Sequence, residues 1–172
     1  QSEIQYPGIP RKETVKMGIQ DKIIYDETYT EGIFVGYRWF EHSSIKPTFP
    51  FGYGLSYTTF EYGEPKTSGS IDKGLTVTVP VKNTGSVAGA EIVQVYVSAP
   101  ESSVERPVKE LKGFGKIFLE SGKSGEVQVT LDKAAISYFD AQKHDWVAEK
   151  GNYRILVGAS SEDIRKTVDF KY

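Results

Sequence analysis

The chain has 172 residues, enough for one ordinary domain and a remainder, and its 38% apolar, 13% aromatic and 26% charged content excludes a disordered polypeptide. Its 21 basic and 23 acidic residues leave a net charge of -2, with no sustained run of Lys and Arg, which argues against nucleic acid and membrane surfaces as partners. With no Cys and only His42 and His144, the sequence offers no thiolate metal site, Cys nucleophile or disulfide framework, and no apolar run approaches the roughly 20 residues of a bilayer span.

In chain order, the start at Gln1 shows neither an initiator Met nor a signal-peptide h-region, so the chain reads as a processed or excised piece. Residues 1–62 hold 13 of the 22 aromatic residues. No repeated strand or helix pattern runs through them, and so small a unit encloses too little surface to stabilise itself. They read as the tail of a larger domain. Ile33, Tyr37 and Phe40 at helical spacing predict a short helix within 32–40, weakened by Gly32 and Gly36 and opened by Glu31. Between Lys46 and Phe60, Pro47 and Pro50 impose extended or turn geometry, and Gly52 and Gly54 allow close backbone approach. The Gly, Pro and Ser of residues 63–70 mark a linker or entry loop, which places the seam near Tyr62.

Beyond the seam the period is two. Leu75, Val77, Val79 and Val81 alternate with Thr76, Thr78 and Pro80; Val93, Val95 and Val97, then Val127, Val129 and Leu131, continue the alternation. Tyr153, Ile155 and Val157, then Val168, Phe170 and Tyr172, end it, with turn residues at 83–85, 121–125 and 150–151. Strands across 111–119 and 146–148 bring the total to about seven, the pattern of an immunoglobulin-like or fibronectin type III-like β-sandwich over 63–172. Pro80, lacking an N–H, predicts an edge strand or a bulge.

Few residues invite a chemical role. Glu31, crowded by aromatics, reads as a helix-start acid. Asp140 and Asp145 flank His144, but a single His without a nucleophile is a loop residue. Trp39, Tyr53 and Tyr57 could stack on a sugar ring, although packing at the seam accounts for them better, and Arg38 beside them suits an ion pair or a stacking contact there. Residues 52–54 lack the Lys and the helix of a phosphate-binding loop and form a tight turn.

The block Glu31-Gly-Ile-Phe-Val-Gly-Tyr-Arg-Trp-Phe40, followed by Phe49-Pro-Phe-Gly-Tyr-Gly-Leu-Ser-Tyr-Thr-Thr-Phe60, closely resembles the C-terminal part of glycoside hydrolase family 3 β-glucosidases. The segments 81–97, 109–114 and 151–161 resemble the fibronectin type III-like domain that ends many of these enzymes. The resemblance implies a mainly β chain in which 63–172 form that sandwich and 1–62 are the irregular, short-helical tail of an α/β sandwich domain. It implies a retaining glycosidase acting on terminal non-reducing β-D-glucosyl residues, whose Asp nucleophile and Glu acid/base lie upstream of the Glu31 block. Such chemistry needs two carboxylates about 5 Å apart, and this chain supplies no convincing pair.

No catalytic residue, metal or cofactor is therefore expected in these residues, and Glu31, Arg38 and Trp39 are the only weak candidates for substrate contact. Tyr37, Phe49, Phe51, Gly52, Tyr53, Gly54, Tyr57 and Phe60 are expected to form an interdomain surface. The partners implied are the upstream barrel and α/β domains and, for the parent protein, a β-glucoside or oligosaccharide substrate in a secreted or periplasmic setting. A non-catalytic carbohydrate- or protein-binding module and a β-xylosidase of the same family stand as alternatives. A chain beginning near Lys66 is expected to fold alone.

Overall fold

A computed structural model describes residues 9–17, 19–26 and 31–172. The chain divides into two compact units, residues 1–35 and 36–172. In the first, β1 (Ile9–Met17) and β2 (Gln20–Asp26) form an antiparallel hairpin with a register shift between Pro10 and Thr14. This hairpin corrects the expectation that the N-terminal residues lack strands. Its alternation is too short to rise above the surrounding irregular sequence.

The second unit opens with α1 (Tyr37–His42). The helix begins later than its spacing predicts because Gly32 and Gly36 adopt φ of 56° and 60°, outside the helical region. Glu31 consequently opens a turn ahead of the helix and accepts the Phe34 backbone N–H at 3.0 Å through its carbonyl.

The remaining strands build a two-sheet sandwich. One sheet has β5 (Gly74–Asn83) flanked on one side by β8 (Ser124–Leu131) and on the other by β3 (Phe60–Tyr62) and β4 (Lys66–Ser70). The other sheet runs β12 (Ile164–Lys171), β11 (Asn152–Gly158), β6 (Gly89–Ser98), β7 (Glu110–Leu119). A short separate hairpin pairs β9 (Tyr138–Asp140) with β10 (Asp145–Val147). The predicted sandwich is present, with β3, β4 and β9 additional to the strands read from the alternation. The sequence of β4, Lys-Thr-Ser-Gly-Ser, is exposed at every position and so carries no apolar period.

The core is where the alternating residues meet. Val77, Val79 and Val81 of β5 and Leu131 of β8 face Val93 and Val95 of β6 and Ile155 and Val157 of β11, all essentially excluded from water. Burial of each such side chain contributes roughly 1.5–3 kcal/mol, so these strand pairs carry most of the fold's stability. Gly113 and Gly115 let β7 close over β8: a Cβ on either would stand 2.4 Å from a methyl of Val129 or Val127. Pro80 lies in the central strand β5, which corrects the expected edge or bulge position. Its carbonyl accepts the Gly63 N–H at 2.9 Å, so its nitrogen points to the same side, into the gap between β3 and β4 where no ladder donor is required.

The aromatic content drops at Tyr62, whereas the compact units divide at Val35 and Gly36. Residues 36–62 pack with the sandwich because β3 joins its sheet and the preceding segment covers the outside of the other sheet.

Candidate functional site

On the outer face of the β6 strand, alternation should leave Gln94 and Tyr96 in water, yet both are buried. The residues that cover them come from 36–53. Tyr37 of α1 stands edge-on to Tyr96 with ring centroids 6.0 Å apart, and Phe51 stacks on Tyr37 at 5.0 Å. The Tyr37 hydroxyl accepts the Leu111 backbone N–H at 2.8 Å.

Gln94 fastens the segment. Its amide nitrogen donates to the carbonyls of Gly52 (3.2 Å) and Ala159 (2.8 Å), and its amide oxygen accepts the Tyr96 hydroxyl. The Ser161 N–H donates to the Phe51 carbonyl at 2.9 Å, closing the opposite side. Gly52 has φ 81°, and a Cβ there would stand 2.2 Å from the Gln94 amide. Glycine is therefore required both by the turn and by the close approach. Burial pushes the Tyr96 and Tyr37 hydroxyls above the ordinary phenol range, so both act here as neutral hydrogen-bonding groups.

A buried ion pair sits beside this layer. Lys109 pairs with Glu41 of α1 and lies 5.9 Å from the Tyr96 ring centre. The second carboxylate oxygen of Glu41 is buried without a hydrogen-bond partner. A bulge brings Lys109 there: Val95 pairs with Gly113 but Tyr96 pairs with Leu111, so Lys112 is extra and the facing of β7 inverts beyond it. Alternation counted from Phe114 places Lys109 on the wrong side, and for this reason neither member of the pair stood out in the sequence.

The expected interface residues separate into two groups. Tyr37, Phe51 and Gly52 hold the segment to the sandwich, and Phe60 begins β3 and packs against the core rim. Phe49 and Tyr57 turn their rings to water, Tyr57 completely, while Tyr53, half-exposed like Phe51, packs on Phe49 with ring centres 5.4 Å apart and leaves its other side open. Gly54 has open space around it. Arg38 and Trp39 are half-buried on α1, where the Trp39 ring lies 6.4 Å from that of His42.

Asp140 and Asp145 serve the β9–β10 hairpin. Asp140 accepts the backbone N–H groups of Gln142 and Lys143 and pairs with the Lys143 ammonium, bonds that hold its carboxyl below the usual carboxylate range. Asp145 accepts the Trp146 N–H at 2.7 Å, and His144 occupies the left-handed region at φ 52° in the turn between them. Among the described residues no group of three metal-binding side chains converges. The carboxyl of Glu91 is raised, chiefly by burial, at the end of the sandwich where Arg165 lies 3.9 Å away and covers the Tyr62 ring. That cluster closes one end of the core.

Residues 91–161 match the fibronectin type III-like domain family. The chain is 47% identical, over 99% of its length, to beta-glucosidase BoGH3A of Bacteroides ovatus, of which the match covers 21%. It is 52% identical over 79% of its length to thermostable beta-glucosidase B of Acetivibrio thermocellus, covering 18% of that protein. The crystal structure of the Kluyveromyces marxianus beta-glucosidase in complex with glucose superimposes with a TM-score of 0.80 at 50% identity, over 84% of this chain and 18% of that one. The fold is thus that of a fibronectin type III-like sandwich. The chain is similar to the C-terminal portion of glycoside hydrolase family 3 β-glucosidases and spans about a fifth of the length of the curated relatives it matches.

Proposed function

We propose that this chain is the structural C-terminal part of a retaining β-glucosidase that removes terminal non-reducing β-D-glucosyl residues, its nucleophile and acid/base being supplied by an upstream part of the parent protein. In this reading 1–62 are the end of the α/β sandwich domain with its connecting segment, and 63–172 are the terminal domain. The observation that carries it is the aromatic segment itself: one set of rings and a backbone carbonyl lock it onto the sandwich, while Phe49, Tyr53 and Tyr57 point outward, as side chains docking a neighbouring domain would. Their role is to orient the sandwich against the catalytic domains, with Glu31, Arg38 and Trp39 outside the reacting centre.

The test is an aryl β-glucoside assay on the 172-residue chain and on its parent. The parent should hydrolyse the substrate with retained anomeric configuration, and the chain alone should not turn it over. Turnover by the chain that disappears on replacing Glu31, Asp140 or Asp145 overturns the reading.

One observation favours the binding-module reading. Phe139 and Trp146, directly paired across β9 and β10, are both exposed with ring centres 5.8 Å apart, a surface on which a pyranose could stack. Titrating the chain with cello-oligosaccharides while following Trp146 fluorescence in a Trp39→Phe background decides it, since a structural module leaves the signal unchanged.

A further inference from the structure

The outer faces of the two sheets differ in chemistry. On the β5–β8 sheet the outward positions are Thr76, Thr78 and Lys82 opposite Thr130, Gln128 and Ser124, the polar surface expected where an antiparallel sheet meets water. On the other sheet one end of the outward face of β11 and β12 is likewise polar, with Asn152 opposite Lys171 and Arg154 paired to Asp169, and Leu156 beyond them is only half-buried opposite Thr167. The β6–β7 part is not. Phe114 and Phe118 are 67% and 64% exposed, and Ile92, cross-strand from Lys116 between them, is 43% exposed.

These three side chains continue the surface formed by the aromatic segment. Phe114 lies cross-strand from Gln94, the residue that holds Gly52, and Ile92 lines one groove together with Tyr53 and Leu55. The chain covers one part of this sheet face with Tyr37 and Phe51 and leaves its most apolar part open. Moreover, β7 is an edge strand, where exposed apolar side chains invite unwanted pairing unless something covers them.

We infer that the outer face of β6 and β7, through Ile92, Phe114 and Phe118, is a second docking surface for the upstream catalytic part of the same polypeptide, continuous with the Phe49–Tyr57 segment. The inference rests on the structural role proposed above and extends it to a surface outside the resembling aromatic block. An upstream segment is the fitting occupant for two reasons. The β-glucosidases that this chain resembles carry about four-fifths of their length outside the match. A symmetric pair of copies meeting here would instead bring two Lys116 ammonium groups into one apolar interface, at the cost of like charges desolvated together.

Photo-crosslinking in the full-length parent tests this. The amino acid p-benzoylphenylalanine replaces Phe118, Tyr57 or, as a control on the polar face, Gln128, and the crosslinked peptides are mapped by mass spectrometry. Position 118 should capture a peptide upstream of this chain within the same molecule, with a yield well above that at 128. No capture at 118, or capture of a second copy, overturns the inference. Capture at 57 without capture at 118 overturns it while leaving the Phe49–Tyr57 interface standing; silence at both positions removes both.

Discussion

Gly52 is the residue on which the outer layer turns. Its φ of 81° and the 2.2 Å separation between an added Cβ and the Gln94 amide mean that Gly52→Ala strains the backbone and displaces a side chain already held by three hydrogen bonds. The substitution should cost about 1–3 kcal/mol in denaturant unfolding of the chain. Adding Gln94→Ala should not restore stability, since Ala159 and Tyr96 then lose their partner. Lys109 makes a second prediction at this scale. Lys109→Met leaves the Glu41 carboxylate buried beside an apolar group and should destabilise the chain by about 3 kcal/mol, whereas the double variant with Glu41→Gln should recover most of the loss.

Glu91 gives a pH-dependent expectation. Its carboxyl is raised in the folded state, so it contributes stability that is fully present below its unfolded pKa and lost as pH rises through the folded value. Glu91→Gln, which removes that titration, should raise the melting temperature at pH 7 relative to the natural chain and lose the advantage near pH 4. An equal effect at both pH values would show that lost contact with Arg165, not ionisation, governs the change.

At the scale of elements, the covering segment revises where the autonomous unit begins. A chain starting at Lys66 lacks β3, which pairs with β5, and bares Tyr96 and Gln94. With roughly 1.5–3 kcal/mol for each large ring that loses its burial, such a chain should be less stable by several kcal/mol than one starting at Gly36. Thermal unfolding of the two, compared by circular dichroism, measures the difference. A Lys66 chain that melts with the longer one would show that the layer of Tyr37 and Phe51 contributes nothing.

For the whole molecule, the docking role makes stability depend on context. Tyr57 is fully exposed and Tyr53, half-exposed, packs on the exposed Phe49 ring, so Tyr53→Ala with Tyr57→Ala should lower the melting temperature of the isolated 172 residues by no more than about 2 °C. In the parent the same pair should lower the melting temperature and raise proteolytic sensitivity near the seam while leaving KM almost unchanged. A rise in KM with unchanged melting would assign the rings to a substrate subsite.

The separate two-residue alternations at 75–81, 93–97, 127–131, 153–157 and 168–172 determined the sandwich by themselves, because packed antiparallel sheets bury one side of every such strand. The two sequence blocks likewise marked the relationship to family 3 enzymes without any structure. What the sequence could not order was the outer layer. Burial of Gln94 and Tyr96 depends on a segment forty residues earlier, and the meeting of Glu41 with Lys109 depends on a bulge that inverts the facing of β7. Both are long-range events in which local alternation predicts the opposite side of the strand, so only the tertiary structure decided them.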